Sequence, residues 1–178
     1  KIFTVPAIDQ WANSQGIVGN LKPIIIEDLL RRDAIDIDLQ KNVLQYQDKT
    51  ILVTGAAGSI GSEIVRQLLK FKPHKLILFD QAETPLFDLK NELFKTKHTT
   101  QFEFLLRSVS NYASVEQCFK AHTIDVVFHA AAYKHVYMTE TTPAAAVLNN
   151  ILGTKNVVDV AIKNKVAHFV MVSTDKAD

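Results

Sequence analysis

The sequence predicts an α/β domain, a doubly wound parallel sheet that begins near residue 49. Three observations predict it. Short apolar runs alternate with stretches of helical spacing, the first run leads at once into a glycine-rich turn, and that first run lacks the in-out alternation of a half-exposed sheet. Ile51-Leu52-Val53 opens the series as a strand buried on both faces. The helix after the glycines carries Ile60, Ile64, Val65, Leu68 and Leu69 as a 3.6-residue stripe that ends near Pro73. Next come a strand from Lys75 to Phe79, a helix from about Thr84 to Lys95 and a strand from Phe102 to Leu106. A helix from about Tyr112 to Lys120 and a strand from Val126 to His129 follow. One long helix from about Ala144 to Lys163 leads into the strand His168 to Val172. Five strands separated by helices of this length imply right-handed crossovers.

Residues 1–48 lack this regularity and read as a connector with short helices. Ile2-Phe3-Thr4-Val5 is a strand remnant that ends at Pro6. Ile24 to Arg32 has helical spacing, with Glu27 and Asp28 early and Arg31 and Arg32 late, as the helix dipole favours. A second short helix is expected over Leu39 to Tyr46.

Composition narrows the function classes. With 47% hydrophobic and 22% charged residues the chain is ordinary globular material. Twenty Lys+Arg against nineteen Asp+Glu give a net charge of +1, so no overall field draws it to nucleic acid or an anionic membrane. Its single cysteine, Cys118, excludes an intramolecular disulfide and disfavours a cysteine zinc site, in keeping with a reducing compartment. No metal site is expected. No apolar run approaches the roughly 18 residues of a membrane span, and Lys1 opens no signal peptide, so the chain is read as soluble and cytoplasmic. It starts without Met and stops at Asp178 directly after a strand pattern, so it is expected to be a piece of something longer.

The chemistry-bearing residues lie after the strands. Thr54-Gly55-Ala56-Ala57-Gly58-Ser59-Ile60-Gly61 sits between a buried strand and an amphipathic helix, which points helix N–H groups and the dipole at a pyrophosphate. Gly55 is expected to allow the tight turn, Gly58 the approach of the phosphates and Gly61 the packing of helix on strand. The absence of a Walker lysine makes this a dinucleotide loop. Asp80 ends the second strand about 19 residues beyond Gly61, where a carboxylate accepts both hydroxyls of an adenosine ribose and repels a 2′-phosphate, which favours NAD over NADP. A second reading makes Asp80 a cap for the helix that starts near Thr84 and Pro85. After strand four, Ala130, Ala131 and Ala132 let backbone come close to a flat ligand, with Lys134 and His135 beside them. After strand five, Ser173-Thr174-Asp175-Lys176 sets a hydroxyl, a carboxylate and an amine side by side, a set fit for proton transfer or, alternatively, a solvated ion pair.

Together, Thr54 to Glu63, His129 to Val136 (with one alanine more than the usual pattern), Asn149-Asn150-Ile151-Leu152-Gly153-Thr154 and Ser173 to Ala177 resemble the nucleotide-sugar 4,6-dehydratases of bacterial capsular and O-antigen polysaccharide biosynthesis. These are extended members of the short-chain dehydrogenase/reductase superfamily that act on UDP-N-acetylglucosamine-type substrates. The resemblance starts near Ile24, where Ile26-Glu27-Asp28-Leu29-Leu30 is also similar. It implies a Rossmann-like domain over residues 49–178, incomplete before the substrate-binding C-terminal region, with residues 1–20 as the tail of an upstream region. It assigns the cofactor to Gly55, Gly58, Ser59, Ile60, Gly61 and Asp80, with Ala130, Ala131, Ala132, Lys134 and Asn150 nearer the nicotinamide half. Lys134 and His135 would also meet the sugar nucleotide. Thr174 would match the active-site hydroxyl, Asp175 would protonate the departing 6-hydroxyl and Lys176 would take the C5 proton. The reaction implied is loss of water across C5 and C6, with hydride held by the cofactor between C4 and C6.

Two departures from that family stand out. Where relatives carry an Asp near the adenine, this chain has Arg107-Ser108-Val109-Ser110-Asn111, leaving Ser108 and Val109 to meet the ring. Where relatives read His-Val-Pro-Leu-Met-Glu, this chain has His135-Val136-Tyr137-Met138-Thr139-Glu140. The superfamily's Tyr or Met and following Lys lie beyond Asp178, so the chain itself is expected to bind a dinucleotide without turning over substrate. The parent is expected to take a UDP-sugar, to form a homo-oligomer and to allow a membrane anchor. The competing readings are a 4-epimerase or reductase of the same superfamily, against which Asp175-Lys176 argues, and a non-catalytic dinucleotide module.

Overall fold

The computed structural model describes residues 3–4, 22–23, 43 and 45–173. The chain divides into two compact units, Lys1–Asp38 and Leu39–Asp178. In the first, β1 (Phe3–Thr4) pairs antiparallel with β2 (Lys22–Pro23), Phe3 opposite Pro23. β1 falls in the expected strand remnant, whereas its partner carries no strand signal: Pro23 has no N–H to give a ladder. The helix expected over Ile24 to Arg32 lies outside the described residues. Of the one expected over Leu39 to Tyr46, Val43, Gln45 and Tyr46 are described and helical.

The second unit holds a five-stranded parallel sheet in the order β5-β4-β3-β6-β7. Its strands are β3 (Thr50–Thr54), β4 (Lys75–Asp80), β5 (Gln101–Leu106), β6 (Val126–His129) and β7 (His168–Met171). All five coincide with predicted strands to within a residue. Alternation along the strands builds two cores. Ile51, Val53, Leu76 and Leu78 face α1 (Ser59–Leu69) and α2 (Glu83–Leu93), whose Val65, Leu68, Leu86 and Leu89 join the same cluster. Leu52, Ile77 and Phe79 face α3 (Tyr112–Ala121) and a later helix, α6 (Thr154–Lys163), through Val115, Phe119, Val157 and Val160. Ile51, Leu52 and Val53 are fully buried, which explains their unbroken apolar run. Each such side chain contributes about 1.5–3 kcal/mol by leaving water.

Local polar contacts set the ends of these elements. The Asn111 side chain caps α3 by accepting the Ser114 N–H at 3.1 Å, and Asp125 accepts the Thr50 N–H at 2.8 Å, tying the start of β6 to β3. Tyr46 packs on Phe71 and Phe128 with ring centroids 5.5 and 5.8 Å away. Cys118 is buried on α3, and burial pushes its thiol up to about 12.

The single long helix expected from Ala144 to Lys163 is instead a composite. α4 (Val136–Thr141) precedes α5 (Pro143–Ala146), a π-helical segment follows over Val147–Gly153, and α6 completes it. α4 buries none of its residues, so no apolar stripe betrays it in sequence. The widened turn has a visible companion: the Thr154 hydroxyl donates to the Asn150 carbonyl at 2.6 Å, competing for a backbone acceptor of the helix. Gly153 lets the same segment approach the β5–α3 loop, since a Cβ there would stand 2.7 Å from Val109 Cγ2.

Beyond that turn lies His129, a buried polar residue at 3% exposure. Its Nδ1 is 2.6 Å from Thr54 Oγ1 and its Nε2 is 2.9 Å from Thr154 Oγ1. Burial pushes its pKa down to about 4 from an ordinary 6.5. The unfolded chain therefore takes up this proton at higher pH than the folded one. The resulting stability is fully present above about pH 6.5 and is lost as the pH falls toward 4. Denaturant unfolding is expected to lose roughly 3 kcal/mol across that window. Constant stability between these limits would show that His129 is not held neutral.

Candidate dinucleotide site

The site forms where β3 and β6, adjacent in space, send their connections to opposite faces of the sheet. α1 packs on one core and α6 on the other, and the crevice between them opens at the carboxyl edge. Gly55 turns the chain at φ +65°, in the left-handed region that glycine alone enters without strain. A Cβ there would lie 2.6 Å from the Ala130 carbonyl oxygen, so the turn sits backbone against backbone on the segment after β6. Gly61 makes the matching contact: its Cβ would fall 2.0 Å from the Gly55 carbonyl oxygen. The Gly55 N–H donates to Phe79 O at 2.9 Å and the Gly58 N–H to Gly55 O at 3.1 Å, which closes the loop onto itself and onto β4.

α1 therefore starts at the crevice. Gly58 is its N-cap, no side chain caps it and no acidic residue stands in its first turn. The N–H groups of that first turn have no intrahelical acceptor, and the helix dipole concentrates positive potential there. This end of the fold suits an anionic group.

Asp80, at the end of β4, caps no helix, since α2 has no side-chain cap at its N-terminus. Its Oδ1 accepts the Ala82 N–H ahead of α2 and its Oδ2 accepts the Ala57 N–H of the glycine loop, both at 2.9 Å. The carboxylate thus fixes the loop against β4 while lining the crevice, and each oxygen keeps a lone pair for a further donor.

The segment after β6 forms the opposite wall, held by Asn150. That side chain accepts the Tyr133 N–H at 2.8 Å through Oδ1 and donates to the Tyr133 carbonyl at 2.9 Å through Nδ2, pairing with one residue's backbone as a neighbouring strand would. Asn149 donates to Asn150 Oδ1 at 3.1 Å. The Tyr133 hydroxyl in turn accepts from Gln81 Nε2 at 2.8 Å, across the crevice from the end of β4.

Two adjoining cavities result. One, of about 240 Å³, is lined by Gly55, Gly58, Asp80, Val109, Ala131 and Asn149 among others. The second, of about 470 Å³, is lined by Ser59, Ile60, Gly61, Lys134, His135 and residues of α4 and α5, including Met138 and Ala145. Gly58, Ala130, Ala132 and Tyr133 line both. An acidic end, a helix N-terminus and a wall of alanines follow one another along this crevice, an order that fits an adenosine, its phosphates and a flat ring.

Most residues singled out in sequence meet here, with two exceptions and one gap. Ser108 lines neither cavity: its hydroxyl donates to Gln81 Oε1 at 2.9 Å, while its neighbour Val109 lines the first. Asn150 lines neither cavity, because its amide is engaged on the Tyr133 backbone. Thr174, Asp175 and Lys176 lie outside the described residues; Val172, two residues earlier, donates its N–H to His129 O at 2.9 Å at the same edge of the sheet. Sequence reasoning missed Tyr133, Gln81 and Asn149, and gave no role to Thr154. The second half of Tyr133's clamp sits 17 residues away in a helix of non-standard pitch, which no local pattern reveals.

Comparison with known proteins agrees with this geometry. Residues 51–178 match the family model described as polysaccharide biosynthesis protein. The capsular polysaccharide biosynthesis protein CapD of Staphylococcus aureus is 42% identical across 99% of this chain, and the probable polysaccharide biosynthesis protein EpsC of Bacillus subtilis is 37% identical across the same share. The chain spans 30% of the length of each of these curated relatives. Among solved structures, the UDP-glucose 4-epimerase of Thermotoga maritima, with UDP-glucose, superposes with a TM-score of 0.63 at 30% identity over 72% of this chain and 38% of that one. The UDP-glucose 4-epimerase of Thermus thermophilus, in complex with NAD, gives 0.60 at 26% over 70% and 37%. With the Rossmann-like sheet, the glycine loop and a family match that covers most of the sequence, the chain belongs to the polysaccharide biosynthesis protein family, related to the nucleotide-sugar epimerases.

Proposed function

We propose that this chain is the NAD-binding portion of a nucleotide-sugar 4,6-dehydratase that acts on a UDP-N-acetylglucosamine-type substrate in bacterial polysaccharide biosynthesis. The observation that carries the dinucleotide is the open α1 N-terminus beside Asp80, in a crevice walled by alanines. The observation that carries dehydration over simple epimerisation is the sequence pair Asp175-Lys176, an acid and a base that follow β7 in the chain. Inverting C4 by oxidation and reduction uses no second acid-base pair, whereas removing water across C5 and C6 requires one. The epimerase alternative draws support from the similar UDP-glucose 4-epimerases.

In this reading the amides at Ser59 and Ile60 hold the pyrophosphate, Gly58 lets the loop backbone come close to it, and Gly61 keeps the helix near enough for them to reach it. Asp80 takes the adenosine ribose hydroxyls, and Val109 lies along the adenine. Ala130, Ala131 and Ala132 leave room for the nicotinamide, with Lys134 and His135 toward the sugar nucleotide. A bound nicotinamide supplies reversible hydride acceptance. Thr174 hydrogen-bonds the sugar, Asp175 donates a proton to the departing hydroxyl and Lys176 removes the proton from the adjacent carbon. The parent works in the cytoplasm as a homo-oligomer, with room for a membrane anchor elsewhere in its length. Among the described residues no helix is long and apolar enough to cross a membrane.

NAD is expected to bind this chain at least about tenfold more tightly than NADP, and Asp80→Ala should narrow that gap. Titration with both nucleotides checks this, and an NADP preference would show that Asp80 does not face the ribose. In the full-length parent, UDP-N-acetylglucosamine should yield a 4-keto-6-deoxy product, and Lys176→Ala should abolish turnover while NAD binding persists. Undiminished turnover by that variant would remove Lys176 as the base.

A further inference from the structure

One buried titratable group has no part in this chemistry: His129 touches neither cavity, yet it sits between the strand that delivers the glycine loop and the helix that holds the opposite wall. Proton bookkeeping orients the whole chain of contacts. The Asn150 carbonyl can only accept, so the single hydroxyl hydrogen of Thr154 is committed to it at 2.6 Å. The Thr154 oxygen must then accept from His129, which puts the ring proton on Nε2, 2.9 Å away. Nδ1 is left with a lone pair and accepts the Thr54 hydroxyl at 2.6 Å. Thr54 immediately precedes Gly55, and Asn150 clamps the backbone of Tyr133 by both ends of its amide. The result is one directed sequence of donors from Thr54 through His129 and Thr154 to Asn150, every member satisfied.

We infer that His129 and Thr154 are positioning residues, a relay that holds the widened turn of the helix so that Asn150 sets the Ala130–Tyr133 wall for the dinucleotide. The inference rests on the reading of the two cavities as a dinucleotide site, and the relay can be read without any ligand. Without the Thr154 hydroxyl, the Asn150 carbonyl and His129 Nε2 both lose their partner, and the cheapest repair is for the turn to tighten toward α-helical pitch. That movement would rotate Asn150 off Tyr133. Thr154→Ser keeps the hydroxyl, and Thr154→Val keeps the shape without it.

Three measurements on the whole chain test this. Long-range imidazole nitrogen spectra should show His129 protonated at Nε2 and bare at Nδ1. Hydrogen exchange at the Tyr133 amide should be slow in the native protein and in Thr154→Ser, and about tenfold faster in Thr154→Val. NAD affinity should follow the same order, weakened about tenfold in Thr154→Val and near native in Thr154→Ser. A proton on Nδ1, or unchanged Tyr133 protection in Thr154→Val, would overturn the relay. Lost protection with undiminished NAD affinity would overturn its positioning role. If the native chain binds no NAD, the dinucleotide reading falls and the positioning role with it, while the exchange data still report on the relay. Should Thr154→Val fail to fold, Thr54→Val and Thr54→Ser interrupt and preserve the same sequence of donors from its other end, with the same expected order.

Discussion

Everything at this site depends on a close contact between backbones. Gly55 rests on Ala130 and Gly61 rests on Gly55, at distances that leave no room for a single added carbon. Because of these contacts α1 begins against the end of β3 rather than beyond it. The positive end of its dipole therefore opens into the crevice between β3 and β6. A side chain at either glycine would push the helix away and move the N–H groups of its first turn off the crevice.

The parts around this contact brace it from both sides. Asp80 holds the glycine loop to β4 with one carboxylate oxygen and accepts the Ala82 N–H, ahead of α2, with the other. On the far side, the Ala130–Tyr133 wall is held by Asn150, whose position depends on a turn of π-helix rather than on regular pitch. π-turns cost hydrogen-bond geometry and persist where surrounding structure over-determines them. Here the surroundings are a buried imidazole, a threonine hydroxyl and Gly153 pressed against Val109.

How much of this was legible in sequence follows from the range of each interaction. β3 and β4 showed because residues buried on both faces leave unbroken apolar runs, as at Ile51 to Val53 and Leu76 to Phe79, whereas the edge strands β5 and β7, only partly buried, showed through their apolar content and their place between helices. The glycine loop and Asp80 showed because strand, turn and helix lie next to one another in the chain. α4 left no trace, since a helix that buries nothing carries no stripe. The break in the long helix was equally hidden: the contact that accompanies it runs from Thr154 to a strand 25 residues earlier. Ser108 and Asn150, which the resemblance gives to the cofactor, are each engaged by a neighbour distant in sequence, Gln81 in one case and Tyr133 in the other, contacts that no local pattern reveals.

The most direct test of the central claim is to follow backbone amide shifts of this chain during titration with NAD. The largest shifts are expected at Ala57 to Gly61, with a second group at Asp80 to Ala82 and a third at Ala130 to Tyr133. Saturating NAD that leaves the Gly58, Ser59 and Ile60 amides unmoved, or that shifts a different face of the sheet, would contradict it.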